Sequence, residues 1–255
     1  MNMRMTTRMI RIAMQLVPAA LILFCAVQAK AETTNNLADS EMEGRKLAQQ
    51  LWSLQPAENV TNTGTLKIRT AKTPWSEIPI RLCVTLLAPA AAGWEASYET
   101  TGTNREQLVI MHSATRPNRY RVTRSGKTAE LNGAEANVPF AGSDFSVADL
   151  GLEFLAWPSQ KIIKKEFHDN VASILLESRN PNPGANDYSR VVSRIEEESG
   201  GVMEAHAYDA SDKSVKDFTV KSLKKINDHW QVESIIMENR QTGSRTRLEF
   251  DLPSK

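Results

Sequence analysis

From Gly64 to Leu252 apolar side chains recur at every second position, in runs separated by turn residues. Side chains two residues apart lie on one face of a strand, so each run can bury one face and wet the other. The pattern demands antiparallel sheet rather than a helical or parallel fold. GTLKIRT (64–70) is followed by IPIRLCVTLLAP (78–89), in which Leu82, Val84 and Leu86 share a face. In GWEASYETT (93–101), Trp94, Ala96 and Tyr98 lie on one side and charges or hydroxyls on the other. EQLVIMHS and NRYRVTR continue the meander, and QKIIKKEF, VASILLES, SRVVSRIEE, VMEAHAYD, VKDFTVKSLKKI, WQVESIIMEN and RTRLEFDL resume it. About ten or eleven strands are expected from this pattern.

Two segments break the alternation. SEMEGRKLAQQLWSLQP opens with Ser40 and Glu43, an S-x-x-E capping box. Leu47, Ala48, Leu51 and Leu54 then form an apolar stripe and Pro56 closes the segment, which predicts one amphipathic helix over 39–55. FAGSDFSVADLGLEFLAWP (140–158) has a second box at Ser146 and Asp149 and is apolar on more than one side. It predicts a short helix over 146–156, buried rather than lying at the surface.

The N-terminus reads as an export signal. Arg4, Arg8 and Arg11 precede an apolar run from Ile12 to Val27, which ends in Ala29-Lys30-Ala31. A basic head, a short apolar core and a small-x-small end define a secretory leader, residues 1–31, cleaved after Ala31. Residues 32–255 then form a single exported domain. Cleavage removes four of the 31 basic residues and none of the 30 acidic ones, leaving a net charge of −3. That balance and the exported address exclude nucleic acid as partner. Cleavage also removes Cys25. Cys83 is left as the one cysteine, so the domain must be held by its core rather than by an internal disulfide.

Catalytic signatures are absent. His112, His168, His206 and His229 lack metal-ligand spacing, and no phosphate loop or nucleophile elbow occurs. The expectation is a protein without catalytic residues, metal or cofactor. Arg116, Arg119, Arg121 and Arg124 cluster around Tyr120 and read as a solvated strand face.

GSDFSVADL (142–150), YSRVVSRIEEESGGVMEAHAYDASDKSVK (188–216) and INDHWQVESIIMENRQTGSRTRLEF (226–250), in that order, resemble the bacterial outer-membrane lipoprotein-sorting family, whose fold is that of the periplasmic carrier LolA. The resemblance implies a mainly β fold: a strongly curved, incomplete antiparallel barrel whose concave face is covered by helices over an apolar cavity. It implies a periplasmic carrier, acting as a monomer, that moves acyl chains of lipids or lipoproteins toward the outer membrane. An inner-membrane transporter would be the donor and the outer membrane would hold the acceptor. On that reading the lining comes from Leu82, Val84, Leu86, Trp94, Tyr98, Val122, Leu150 and Phe154, with Met111, Met203 and Met237 as adaptable contributors. Two other classes are weighed against it. An envelope sensor would leave the cavity empty and grip a membrane protein on its charged face. An exported hydrolase would lose turnover on replacement of a single Ser or His.

Overall fold

The structure, a computed structural model, describes residues 25–87, 93–102, 105–184, 187–226 and 229–253. Residues 1–24 of the expected leader lie outside them. The chain divides after Leu37, and apart from the first half of the helix that begins at Cys25 the features described below belong to the second unit, Ala38–Lys255.

The alternating runs become thirteen strands. They are β1 (Val60–Arg69), β2 (Ser76–Leu86), β3 (Gly93–Thr100), β4 (Glu106–Ser113), β5 (Arg116–Arg124), β6 (Lys127–Leu131), β7 (Ser159–His168), β8 (Val171–Arg179), β9 (Arg190–Glu196), β10 (Gly201–Tyr208), β11 (Ser214–Ile226), β12 (His229–Asn239) and β13 (Arg245–Phe250). All pair antiparallel in one sheet of order β6-β5-β4-β3-β2-β1-β13-β12-β11-β10-β9-β8-β7. Two meanders are thus joined where the first strand pairs with the last, Leu66 opposite Leu248 and Ile68 opposite Thr246. Thirteen exceeds the ten or eleven expected, and β6, KTAEL, is a strand that none of the alternating runs covers, a short exposed edge whose alternation is too weak to read from sequence. Lysine, glutamate and brevity suit an edge that must not recruit another chain.

Helix α1 runs from Cys25 to Trp52, not from residue 39. Ser40 and Glu43 therefore stand inside it rather than at its start. The helix continues through the residues ahead of Ser40, so backbone bonds stand where a cap would otherwise be needed. Glu43 turns outward to Lys165 on β7, at 2.8 Å. The buried stripe is Gly44, Leu47, Ala48, Leu51 and Trp52, while Leu54 lies past the helix end and is exposed.

The same helix reports how far the sheet bends. Gly44 sits against β7 so closely that a Cβ there would lie 2.7 Å from the Lys161 Cα. Trp52 donates its indole N–H to the Ser113 carbonyl on β4 at 2.9 Å, and His112 meets the Trp52 carbonyl at 2.7 Å. In the sheet order β4 and β7 are ten places apart, which in a flat sheet is about 48 Å. Along the helix Gly44 and Trp52 are separated by about 12 Å. The sheet must curl until its flanks nearly meet, and α1 lies across the remaining gap. β6 and β7 do not pair with each other, so the barrel is incomplete.

The segment after Ser146 forms the second bridge. It is one α-turn, α2 (Val147–Leu150), then Leu152 at φ 47°, then a 3-10 turn at Glu153–Ala156, rather than one helix. The capping box predicted at its start is present: the Asp149 N–H donates to Ser146 Oγ at 3.1 Å, and the Ser146 N–H donates to Asp149 Oδ2 at 2.8 Å. Asn118 on β5 donates to the Gly151 carbonyl, and Gln160 on β7 donates to the Phe154 and Trp157 carbonyls, each at 2.9 Å. The α2 segment is thereby tied to strands near opposite edges of the sheet.

Candidate ligand cavity

A hollow of about 490 Å³ lies on the inner face of the sheet, under α2. β2 contributes Leu82 and Val84, β1 Val60 and Asn62, β3 Tyr98 and β13 Phe250. From the other meander come Met203, Phe218, Val220, Leu223, Val232 and Ile235. Leu150 and Leu152 roof it. Pro56, Ala57, Glu58, Ser199, Gly201 and Trp230 also line it; Glu58 and Trp230 are exposed.

Period two alone cannot place this wall. Val220 and Leu223 both line the hollow although three residues apart, as do Val232 and Ile235. The β11–β12 ladder slips between Val220 and Ser222 and again before Leu223, and β10 slips between Val202 and Glu204. Bulges of this kind bend a strand and re-aim its side chains. Here they turn two successive apolar positions to the same face.

Of the eight residues expected from sequence, Leu82, Val84, Tyr98 and Leu150 line the hollow. Leu86 stands half-buried opposite Trp94, outside the lining. Trp94 is occupied elsewhere: its ring stacks on His112 at 4.7 Å and its N–H reaches the Leu54 carbonyl at 3.3 Å, below the end of α1. Val122 is buried in the core cluster that also holds Phe140 and Phe145. Phe154 packs with Ala48, Leu155 and Leu176 in the second cluster, beneath α1. Met203 lines the hollow, whereas Met237 is core.

The roof is held by polar contacts that the sequence did not announce. Asp149 accepts from Lys216 Nζ at 2.9 Å and from the Tyr188 hydroxyl at 3.0 Å, besides the Ser146 N–H. Burial, and then the Asp149 charge, push the Tyr188 hydroxyl well above its usual 10. Tyr120, fully buried on β5, donates its hydroxyl to Glu153. Burial raises the Glu153 carboxyl above its usual 4.5, and the hydrogen bond from Tyr120 only partly opposes this. Tyr98, enclosed in the wall, is pushed up to about 12 by burial.

Glu153 makes stability fall as pH rises. The folded carboxyl holds its proton at pH values where the unfolded one has released it, so stability declines from about pH 4.5 upward through the folded pKa. Glu153→Gln keeps an acceptor for Tyr120 and removes the ionisation. Urea unfolding at a series of pH values is expected to give a flatter profile for Glu153→Gln, with its largest relative gain at the alkaline end.

A second hollow, about 690 Å³, lies on the other side of α2 among Arg116, Asn118, Arg119, Glu153, Trp157, Asn182 and Tyr188. Its walls mix these polar and charged side chains with apolar ones, among them Pro117, Phe154 and Pro158. Arg121 and Arg124 from the same basic run are not in it; they pair with Glu130 and Glu106. Among the described residues no group of three or more His, Cys, Asp or Glu side chains is placed to hold a metal ion.

An open antiparallel barrel, bridged by a helix and roofed by a short turn over an apolar hollow, defines a LolA-like fold. Residues 122–253 match a family model described as "-like: Uncharacterized protein"; this is just over half of the chain, and the chain belongs to that family. Among solved structures it is similar to a DUF1329 family protein from Desulfovibrio piger, with 15% identity, TM-score 0.70, and 85% of this chain and 95% of that one covered. A domain from Vibrio parahaemolyticus described as outer membrane lipoprotein-sorting is 17% identical, with TM-score 0.67 and coverage of 83% and 91%. A LolA superfamily protein from Nitrosomonas europaea is 12% identical, with TM-score 0.58 and coverage of 84% and 95%. At these identities the likeness concerns the fold alone. Among curated proteins none matches the sequence.

Proposed function

We propose that this chain is an exported carrier that takes an acyl chain of a lipid or lipidated protein into the hollow beneath α2 and moves it toward the outer membrane. One observation carries the reading: the hollow is walled almost throughout by aliphatic and aromatic side chains, yet is left unfilled by them. Its volume lies in the range of sites that enclose small ligands. Each methylene taken out of water contributes about 0.8 kcal/mol, so an acyl tail is held by dry volume and needs no special residue. The same property accounts for a site without a catalytic constellation. In this reading the leader is cleaved after Ala31, the mature monomer works in the periplasm, and α1 and α2 gate the entry of cargo. An inner-membrane transporter supplies that cargo and an outer-membrane acceptor receives it.

The test is mass spectrometry of an organic extract of the natively purified mature chain, alongside Leu82→Trp, which fills the hollow from the β2 side. A stoichiometric lipid is expected from the unaltered protein, and at least about a tenfold loss of bound lipid from Leu82→Trp, with far-UV dichroism unchanged. An unaltered protein that is free of lipid and fails to solubilise a lipopeptide defeats the proposal.

A further inference from the structure

The charge of the lining limits which polar end a bound chain can carry. Among the described residues lining the hollow there is no lysine, arginine or histidine. The acids are Asp149 and Glu58. Asp149 is neutralised by Lys216 at 2.9 Å. Glu58, exposed in the loop between α1 and β1, has no hydrogen-bonding or ionic partner among the described residues. That loop is fixed in place: the next residue, Asn59, accepts the Leu86 N–H at 2.8 Å. Two lysines lie nearby without lining the hollow. Lys224 reaches the Leu252 carbonyl, and Lys225 stands at the ring of the rim residue Trp230, 5.9 Å from its centroid.

The neutral polar groups of the wall are Asn62 and Gln231, whose side-chain amides have no partner among the described residues, and Ser199, whose hydroxyl points at the Met203 sulfur. Amide N–H groups can donate to the carbonyl of an ester or an amide. A carboxylate or phosphate brought to the same place would find no cation among the described lining residues, would lose water, and would face Glu58.

Resting on the carrier reading above, we propose that the cavity selects acyl chains whose polar end is an uncharged ester or amide, and discriminates against chains ending in a free carboxylate or phosphate. The selectivity belongs to Glu58 and to a described lining that holds no cation of its own, and the apolar wall supplies affinity without regard to the head.

The experiment compares palmitoylglycerol, palmitamide and palmitate as competitors for a neutral fluorescent acyl probe on the delipidated mature protein at low salt. Glu58→Gln and Glu58→Lys are measured alongside. These substitutions fall at an exposed loop position. Palmitate is expected to compete at least about fivefold less well than palmitoylglycerol on the unaltered protein. The gap should narrow in Glu58→Gln and close or reverse in Glu58→Lys. Palmitate competing as well as palmitoylglycerol on the unaltered protein, or a gap that Glu58→Lys leaves unmoved, overturns the head-group proposal and leaves the carrier reading standing. Failure of every probe to bind overturns both.

Discussion

Gly64→Val is expected to cost at least about 3 kcal/mol and to leave the mature chain largely unfolded or insoluble. Gly64 lies in β1, opposite Ile80 of β2 on one side and Phe250 of β13 on the other. A Cβ at this position would lie 2.1 Å from the Glu249 carbonyl oxygen and 3.1 Å from the Phe250 Cα. Both are backbone atoms, so no rotamer change relieves the contact. Neither strand can retreat. β13 is held on its far side by β12, with Leu248 opposite Ile235, and β1 is held by β2. At the end of the seam the Asp251 N–H donates to the Thr63 carbonyl at 2.8 Å. The position matters because this seam joins the two meanders. Without it there is one sheet of six strands and another of seven, and neither closes over the hollow. Small domains have roughly 5–15 kcal/mol in hand, so a loss of this size removes much of the margin. Gly64→Ala should show an intermediate loss in urea denaturation. Gly102→Ala, where a Cβ would meet nothing within 4 Å, should stay within about 0.5 kcal/mol of the parent. A Gly64→Val protein with an unchanged urea midpoint would refute the seam argument.

The legible parts of this fold were those set by local periodicity. Alternation marks both faces of β2, β3 and β13, and the S-x-x-D box marks the start of α2, because each is decided by residues a few positions apart. The count fell short of thirteen, and β6 went unread because Lys127, Thr128 and Ala129 carry no buried face to announce a strand. The start of α1 was misread because a capping box marks a start only where the helix does not run through it, and here the helix runs through Ser40. Candidate lining residues divided along the same line. Leu82, Val84 and Tyr98 line the hollow, whereas Trp94, which shares their face by alternation, does not, because it is held by His112 and the Leu54 carbonyl at the end of α1. Which inward residues meet packing and which meet empty space is settled by elements distant in sequence. The β10, β11 and β12 portion of the wall was hidden for another reason: bulges at Val202–Glu204 and Val220–Leu223 break the period on which the reading depends. WQVESII has apolar residues three apart, Val232 and Ile235, and that departure from alternation is the trace such a bulge leaves in a sequence.

Asp149→Ala is expected to destabilise the protein by about 3–5 kcal/mol and to release α2 from the sheet. Asp149 is the point at which the roof is fastened. Its carboxylate accepts from Lys216 of β11, from Tyr188 just ahead of β9, and from the backbone of Ser146. Both charged side chains are largely enclosed, Lys216 at 18% and Asp149 at 10% exposure. Alanine therefore removes more than an attraction: it strands an ammonium group in a site with little water and leaves the Tyr188 hydroxyl without its acceptor. Two further measurements separate these effects from simple loss of the cap. Lys216→Met in the Asp149→Ala background removes the stranded charge, so the double variant should be more stable than Asp149→Ala alone. Asp149→Asn keeps an acceptor for Ser146 but not the charge, so it should fall between the parent and Asp149→Ala. Leu150 and Leu152 form the roof of the hollow and follow directly on Asp149. Variants that lose the fastening should also release a bound acyl probe faster, in the same order as their loss of stability. If Asp149→Ala unfolds with the parent's urea midpoint, or if adding Lys216→Met only deepens its loss, the pair does not fasten the roof and the gate must be sought in α1.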